Sequence, residues 1–218
     1  MTITPDSVKQ LLNSQDLGDR LKSVNLLRQL EPEIAFELAQ IAVNDSNPRV
    51  RYSAVSLFDT LGNVDRNVSL NILRDRLLND PEFDVQAAAA DALGALQFKE
   101  AFDDLVQVYQ STSEWLLQFS IISILGLIND ERAFDILVKA LDSENGLVQT
   151  AAISSLGDLG DERAIEKLAP FVDHSDWQLR YRLTQTLTQL GGKDARNLLE
   201  KLANDPFEQV AKEAKAGL

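Results

Sequence analysis

The sequence predicts an all-α fold: an α-solenoid of about six stacked helical hairpins and a truncated C-terminal unit. The stretch SSLGDLGDERAIEKL (154–168) matches SILGLINDERAFDIL (123–137) at eight of fifteen positions, 31 residues apart. The same apolar pattern restarts from anchor residues at positions 19, 50, 85, 117, 148, 179 and 210. A period of this length is typical of stacked helix pairs, because one pair cannot bury its apolar face alone.

Within each repeat the apolar residues follow helical spacing. Counted from the anchor, positions +4, +7, +8 and +11 share one helix face, and +16 and +20 begin the inward face of the next helix. The fifth repeat is the clearest example, with Val148, Ala152, Ser155, Leu156, Leu159, Ala164 and Leu168. We expect a helix to start at each anchor and to line the concave side of the solenoid. The pattern leaves Val210 to open the truncated unit.

Turn residues mark the expected helix ends. An N-cap followed by proline at the first helical position is predicted at Thr4-Pro5, Asp80-Pro81 and Asp205-Pro206, and further caps are predicted at Ser113 and Ser175. Helix stops are predicted at Gly62, Gly160 and Gly191. Pro170 falls inside an expected helix and should kink it or end it early. Since no stretch alternates as a strand does, no strands are predicted.

Composition indicates one soluble, cytoplasmic domain over residues 1–218. Apolar residues make up 44% and charged residues 25%, and no Pro-rich or Ser-rich linker interrupts the chain. There is no apolar run of membrane-spanning length, and the N-terminal residues lack the pattern of a signal peptide. The absence of cysteine agrees with a cytoplasmic location and excludes disulfides and thiolate chemistry.

The formal net charge of −13 restricts the class of partner. An acidic surface repels phosphate backbones, and no cluster of lysine and arginine overrides that charge locally. The sequence therefore argues against binding to nucleic acid and against insertion into a membrane.

Signatures of conventional catalysis are missing from the sequence. It contains no nucleophile elbow, no P-loop and no dinucleotide-binding glycine fingerprint. The single histidine, His174, lies in a predicted turn, and Asp103-Asp104 and Asp130-Glu131 fit solvated helix surface. We predict no metal site, and the sequence identifies no catalytic residue.

The candidate site is the concave groove, which positions +2, +3 and +6 should face. Position +2 carries Tyr52, Ala87, Phe119, Thr150 and Tyr181, and the residue two before the anchor is Phe83, Trp115 or Trp177 in three repeats. Arg51, Arg180 and Arg182 add cations beside two of the tyrosines. Aromatic faces and arginines suit a flat, carboxylate-bearing ligand or a helix of a partner. The structural alternative is that arginine at +1 pairs with an acid of the adjacent turn and that aromatics pack between repeats.

Several units resemble a known family. DPEFDVQAAAADALGAL and DSENGLVQTAAISSLGDLGDERAIEKL are similar to the short HEAT-like repeats of the E/F-type phycobilisome bilin lyases, and the resemblance covers roughly residues 14–218. The chain length, the acidic balance and DHSDWQLRYRLTQTLTQLGG (173–192) resemble most the cyanobacterial members that promote phycobilisome degradation. The isomerising members use a Cys-His motif, which this chain lacks, so that route is excluded.

The resemblance implies a partner and roles for the groove. It implies binding of phycobiliproteins (phycocyanin or allophycocyanin subunits) and release of their phycocyanobilin, with no resident cofactor. The bilin propionates would then meet Arg51, Arg180 and Arg182, and the pyrrole N–H groups would meet Asp84 or Asp91. The ring faces would stack on Tyr52, Trp115, Phe119, Trp177 or Tyr181.

Three functions remain open from the sequence. The first is a phycobiliprotein-binding protein with a lyase-like, bilin-detaching activity. The second is an adaptor or chaperone that presents phycobiliproteins to a protease without any chemistry of its own. The third is a general HEAT scaffold between unrelated proteins. The oligomeric state, monomer or homodimer, is also left open.

Overall fold

The computed structural model describes residues 3–218, in which helices are joined by turns and no strand occurs. This confirms the all-α fold and the solenoid of helical hairpins. Two 3₁₀ segments, Lys99–Ala101 and Ala169–Asp173, accompany the α-helices. The α-helices are α1 (Pro5–Leu12), α2 (Leu17–Leu27), α3 (Pro32–Ala42), α4 (Pro48–Ser56), α5 (Phe58–Leu61), α6 (Arg66–Asn79), α7 (Phe83–Ala95), α8 (Phe102–Ser111), α9 (Trp115–Leu125), α10 (Ala133–Ala140), α11 (Gly146–Leu159), α12 (Ala164–Leu168), α13 (Trp177–Leu190), α14 (Gly192–Leu202) and α15 (Glu208–Ala216).

The contacts between helices divide the chain into two compact units, one ending at Ile121 and the other beginning at Ile122. In the first unit α2 contacts α4, α4 contacts α7, and α6 and α8 pack together behind them. In the second unit α11 contacts α13 and α13 contacts α15, with α10 and α12 behind. Each unit is thus a stack of hairpins in two layers. That residues 1–218 form a single domain stays a prediction.

The buried core follows the repeat pattern. The anchors Val85 and Val148 are completely buried, as are Ala89 and Ala152 at +4. The inward face of the second helix is equally buried, from Ala101 and Leu105 in one repeat to Ala164 and Leu168 in another. The period that predicted the fold is therefore the period of the hydrophobic core, which is the main source of stability in stacked repeats.

The helices that carry the anchors begin earlier than expected. In all six repeats and in the truncated unit the first helical residue lies two positions before the anchor, as Phe83 does before Val85 and Trp177 before Leu179. In several repeats an asparagine or aspartate three positions before the anchor is the N-cap of this helix. Its side chain accepts hydrogen bonds from backbone N–H groups of the first turn, as Asn145 does. The residue just before each anchor therefore lies in the first turn, on the same face as +2, +3 and +6.

Some of the expected helix ends are confirmed. Thr4 caps α1 and accepts from the Ser7 N–H group, with Pro5 as the first helical residue. Gly160 and Gly191 end their helices at φ angles of +70° and +66°, which glycine adopts without strain. Pro170 shortens its helix as expected, since α12 stops at Leu168 and the chain continues as a 3₁₀ segment.

Other expected caps are wrong. Asp80 and Asp205 are not N-caps, because the next helices begin only at Phe83 and Glu208 and their prolines lie in the preceding turns. Ser113 and Ser175 are each one residue too early to be N-caps. α9 begins only at Trp115, and Asp176, not Ser175, caps α13. Gly62, in contrast, does end α5 as expected, although its backbone angles are those of an ordinary right-handed helix. Asp80 and Asp205 instead tie neighbouring turns together.

Close packing between α9 and α11 depends on Gly126, just past the end of α9. The hydroxyl of Ser155 donates a hydrogen bond of 2.8 Å to the carbonyl of Ile122. A Cβ atom added at Gly126 would meet the backbone of Ser155, whose Cα would be only 2.8 Å away. Since this neighbour is backbone, it cannot move aside as a side chain can.

We expect Gly126→Ala to lower the free energy of unfolding by about 1–3 kcal/mol, because the two helices must separate to admit the methyl group. Urea denaturation followed by circular dichroism measures this difference. Gly146→Ala is the matched control, because nothing lies within 4 Å of a Cβ atom there. Equal effects of the two substitutions would contradict the proposed close approach.

Candidate functional site

Arg51 and Arg180 hold turns together and are not available to a ligand, contrary to expectation. Each is only 7% exposed. Arg51 donates from Nε and Nη2 to the two carboxylate oxygens of Asp80, both at 2.8 Å. Arg180 makes the same fork to Asp205 at 2.6 and 2.8 Å. The guanidinium groups also donate to backbone carbonyls, including that of Asp45 for Arg51.

In the other repeats, too, the side chain at position +1 bonds to a neighbouring turn. Arg20 pairs with Asp45 at 2.8 Å. Glutamine replaces arginine in the middle repeats, where the side-chain amide groups donate to carbonyls of the preceding turn. These bonds run from Gln86 to Asp80, from Gln118 to Thr112 and from Gln149 to Leu141. Position +1 is thus a structural tie between repeats, as the alternative interpretation of the sequence allowed.

The ties also fix the protonation of their acids. Burial opposes the ionisation of Asp80, but hydrogen bonds from Arg51 and from the Glu82 N–H group, with the nearby arginine charges, outweigh it and lower its pKa. The hydrogen bond from Arg180 is the main cause of the lowered pKa of Asp205. Both carboxylates are therefore ionised at neutral pH and serve as permanent partners of the arginines.

The first unit contains a groove of about 680 Å³, called the first groove. Its floor is one face of α7, where Asp84, Ala87, Ala88 and Asp91 follow each other at helical spacing. Tyr52 of α4, 47% exposed, forms one wall. The other residues that line it include Leu21, Pro48, Arg49, Ser53, Glu82, Leu116 and Ser120. The structure thus brings together Tyr52, Asp84 and Asp91, three of the expected site residues.

Asp91 is the unusual acid of the first groove. Asp91 is an exposed residue, yet the protein surrounding its carboxyl group partly desolvates it and raises its pKa. A hydrogen bond with Ser120 partly opposes that rise. An ionised Asp91 therefore costs folding free energy at neutral pH.

We expect Asp91→Asn to stabilise the protein slightly at pH 7, by less than about 1 kcal/mol because water screens the charge. A raised folded-state pKa means that the ionised acid destabilises the protein at high pH and that this cost disappears as pH falls below the unfolded-state value. The stability difference between variant and parent should thus shrink on acidification. Urea midpoints at pH 7 and at about pH 3.5 measure it, and an undiminished difference would contradict the desolvation of Asp91.

The second unit contains a larger groove of about 1050 Å³, called the second groove. It brings together Trp177, Tyr181 and Arg182 of α13, which were expected at the site. Asp176 and Gln178, at the start of α13, also line it. The remaining lining residues come from α11, α15 and the turn before α11, and include Glu144, Leu147, Thr150, Gln209, Lys212 and Glu213. Aromatic faces and two exposed cations, Arg182 and Lys212, therefore occur in one groove.

Neighbouring side chains hold the aromatic residues of the second groove. The Trp177 ring stacks on Phe207 with centroids 5.2 Å apart and planes 7° from parallel. The Tyr181 hydroxyl donates to a carboxylate oxygen of Glu213 at 3.4 Å. Arg182 donates a hydrogen bond to the neutral side chain of Gln185, so this contact does not neutralise the arginine charge. This arrangement presents two aromatic rings, a carboxylate and cations to one ligand.

Besides Arg51 and Arg180, three expected site residues lie outside both grooves. Phe83 and Trp115 are the first residues of α7 and α9 and are each 46% exposed, while Phe119 is half-buried. They are surface residues of the first unit. Their expected contact with a groove ligand stays a prediction without support from the groove geometry.

The position just before the anchor is the part of the site that the sequence interpretation missed. Arg49, Leu116 and Leu147 occupy it and line the grooves, as Asp84 also does. The truncated repeat contributes Lys212 and Glu213 at its own +2 and +3 positions. The cap residues in the sequence could have indicated this position. An N-cap three positions before the anchor places the residue just before the anchor in the first helical turn, where it faces the groove.

Residues 3–218 contain no group of three or more acidic or histidine side chains placed to hold a metal ion. His174 takes part in the turn before α13, where its Nδ1 accepts a hydrogen bond from the Asp176 N–H group. In the described chain, every helix is too short or too polar to cross a bilayer.

The family model for HEAT repeats matches residues 5–94, 70–156 and 137–218. The fold is similar to that in the complex of CpcE and CpcF of phycocyanin lyase from Nostoc sp. PCC7120, at 21% identity and a TM-score of 0.66, covering 100% of this chain and 96% of that one. It is also similar to Escherichia coli YibA, at 16% identity and a TM-score of 0.68, covering 97% and 80%. The fold is also similar to that of an engineered protein, at 18% identity and a TM-score of 0.61, covering 99% of this chain and 67% of that one. No curated protein sequence matches. With family matches that run from residue 5 to residue 218, the chain belongs to the HEAT-repeat family.

Proposed function

We propose that this protein binds phycobiliproteins and takes hold of their bilin in the second groove. One observation carries the proposal: the groove combines the faces of Trp177 and Tyr181 with the cations of Arg182 and Lys212 in about 1050 Å³. A volume of this size suits a ligand of several rings. Such a ligand must be flat and must carry anionic groups.

A linear tetrapyrrole has both features. Its conjugated rings stack on aromatic side chains, and its two propionates pair with arginine and lysine. Its pyrrole N–H groups need an acceptor, for which the groove offers the carboxylate of Glu144. The cations matter more because the chain as a whole has a charge of −13, so an anionic ligand gains attraction only where basic groups are exposed locally.

The comparisons support the proposal at the level of the fold. The chain is similar over its whole length to a structure of the phycocyanin lyase complex. The repeat sequences resemble the same family, and among its members the phycobilisome degradation protein NblB in particular. We therefore propose that the protein acts in the cytoplasm of cyanobacteria, where loss of bilin accompanies dismantling of the antenna.

Detachment of a bilin requires elimination of its thioether. The bond between sulfur and carbon breaks, a proton leaves the adjacent carbon, and the cysteine is returned as a thiol. We place Glu213 as the base for that proton, because its carboxylate lies within reach of the groove interior and is oriented by Tyr181. Arg182 and Lys212 would hold the propionates and thereby fix the position of the reacting ring.

The second candidate function is an adaptor that presents phycobiliproteins to a protease without chemistry. The exposed aromatic residues Phe83 and Trp115 favour it, because large apolar side chains on a surface are typical of protein contacts. These residues lie outside both grooves and have no place in a bilin site.

One mixing experiment separates these functions. The protein is added in catalytic amount to an excess of phycocyanin, the visible spectrum is followed, and covalently bound bilin is then measured on the subunits. Loss of more bilin than one per protein molecule is the result expected for detachment. An unchanged spectrum with co-elution on gel filtration identifies the adaptor, and no change with no co-elution contradicts both candidates.

A further inference from the structure

We propose that the first groove docks a polypeptide segment of a partner protein through its lysine or arginine side chains. The proposal concerns a different groove from the one assigned to bilin and holds whether or not a bilin is bound. It rests on the arrangement of Asp84 and Asp91, the alanines between them, and the exposed walls at Tyr52 and Leu116.

The floor of the groove places two carboxylates at a fixed separation. Asp84 and Asp91 lie seven residues apart on α7, so they share one face and are separated by about 10 Å along the helix axis. Ala87 and Ala88 lie between them. Because alanine carries only a methyl group, these two positions leave room between the acids for the stem of a longer side chain. One metal ion cannot bridge acids this far apart, since its ligands must approach within about 2.6 Å.

The walls suit the aliphatic and cationic parts of lysine and arginine. Tyr52 is 47% exposed and Leu116 is 37% exposed, and they line the groove from α4 and α9. Lysine and arginine pack their methylene stems on such surfaces while their charged ends reach polar groups. The face of a tyrosine ring also attracts a cation directly.

The charge of the groove selects a basic occupant. Glu82, Asp84 and Asp91 line it with Arg49 as the single base. Asp91 is partly desolvated, which raises its pKa and strengthens its attraction for an incoming cation relative to a fully hydrated acid. A segment in the polyproline II conformation has three residues per turn, so residues i and i+3 lie on one face about 9 Å apart, close to the separation of the two aspartates. A polypeptide with basic residues at that interval therefore fits both the charge and the spacing.

The test uses two short fluorescein-labelled peptides of defined sequence, one a repeat of Lys-Ala-Leu and the other a repeat of Glu-Ala-Leu. Fluorescence anisotropy measures their affinity for the intact protein. We expect the lysine peptide to bind and the glutamate peptide not to bind. The double variant Asp84→Asn, Asp91→Asn should bind the lysine peptide about tenfold more weakly. Tyr52→Ala should weaken it about fivefold through loss of the wall.

The matched control removes the same charge elsewhere in the first unit. Glu37→Gln with Asp59→Asn changes two exposed acids that lie outside the groove and should alter affinity less than about twofold. Amide chemical shifts of the parent protein should change on lysine-peptide addition at Tyr52, Ala87 and Leu116. Circular dichroism confirms that each variant is folded.

Three outcomes would overturn the proposal. Equal losses in the groove and control double variants would show attraction to the overall negative charge only. Binding of the glutamate peptide with equal affinity would show an apolar surface without charge selection. Concentration-dependent shifts at the groove without any peptide would assign it to contact between copies of this chain. Failure of this test leaves the bilin assignment of the second groove untouched, because neither peptide carries a bilin.

Discussion

Replacing Asp80 by asparagine should lower the free energy of unfolding by about 3–5 kcal/mol. Asp80 is only 2% exposed and receives both donors of the Arg51 fork. Asparagine keeps the shape but removes the charge, which leaves a buried guanidinium without its counter-ion. Urea denaturation followed by circular dichroism at pH 7 measures the loss.

An exposed ion pair provides the control. Arg196 and Glu200 of α14 lie 3.9 Å apart with their side chains largely in solvent. Glu200→Gln should therefore cost less than about 0.5 kcal/mol. A double variant, Arg51→Met with Asp80→Leu, should recover much of the loss, because no charge is then left buried. If Asp80→Asn were as mild as Glu200→Gln, the tie between repeats would not be a stabilising element.

The ion pairs Arg51–Asp80 and Arg180–Asp205 also predict how the stability of the fold depends on pH in acid. The pKa of Asp80 and that of Asp205 are lower in the folded chain than in the unfolded chain. Such groups stabilise the fold above the unfolded pKa of about 4, and that stability is lost as pH falls through the folded value. The parent should therefore lose stability steeply below about pH 4, and Asp80→Asn should show a shallower decline. Parallel curves would contradict the assignment.

Replacing Trp177 by alanine should weaken binding of phycocyanin by about thirtyfold, or about 2 kcal/mol. The ring lines the second groove and is held by its stack on Phe207, so it is ordered before a ligand arrives. A preordered aromatic surface loses little entropy on binding, which is why such residues contribute strongly. Isothermal titration calorimetry with intact phycocyanin measures the change.

The other tryptophan is the natural control. Trp115 also begins a helix two positions before its anchor and is 46% exposed, but it lies outside both grooves. Trp115→Ala should change the affinity less than about threefold, since most interface residues contribute little. Equal losses from both variants would move the binding surface away from the second groove.

The repeat period predicted the fold because burial alone dictates it. Anchor positions such as Val148 must be apolar in every unit that stacks on another, so the pattern is legible without any structure. The helix starts were predicted less well, because aspartate before proline marks either an N-cap or a turn acid. The choice for Asp80 was decided by Arg51, a residue 29 positions away.

Part of the candidate site could also be predicted from the positions of the buried anchors. Tyr181 at +2 faces the groove because its position on the helix follows directly from the buried anchor Leu179. Arg180, one residue earlier, carries the same kind of side chain that a ligand would need, and only its distant partner Asp205 shows that it is structural. Lys212 was missed because position +2 was considered only in the complete repeats, although the helix of the truncated repeat lines the groove as well.

The most direct test of the bilin assignment uses a single-tryptophan protein. The chain has two tryptophans, so Trp115→Phe leaves Trp177 as the only indole and as a fluorescent reporter of the second groove. A tryptophan-free peptide cut from phycocyanin is titrated in, once with its bilin attached and once with the bilin removed. We predict strong quenching of Trp177 by the bilin-bearing peptide and none by the bare peptide. Binding of the bilin peptide, detected by anisotropy of the bilin, without any change in Trp177 emission would contradict the assignment.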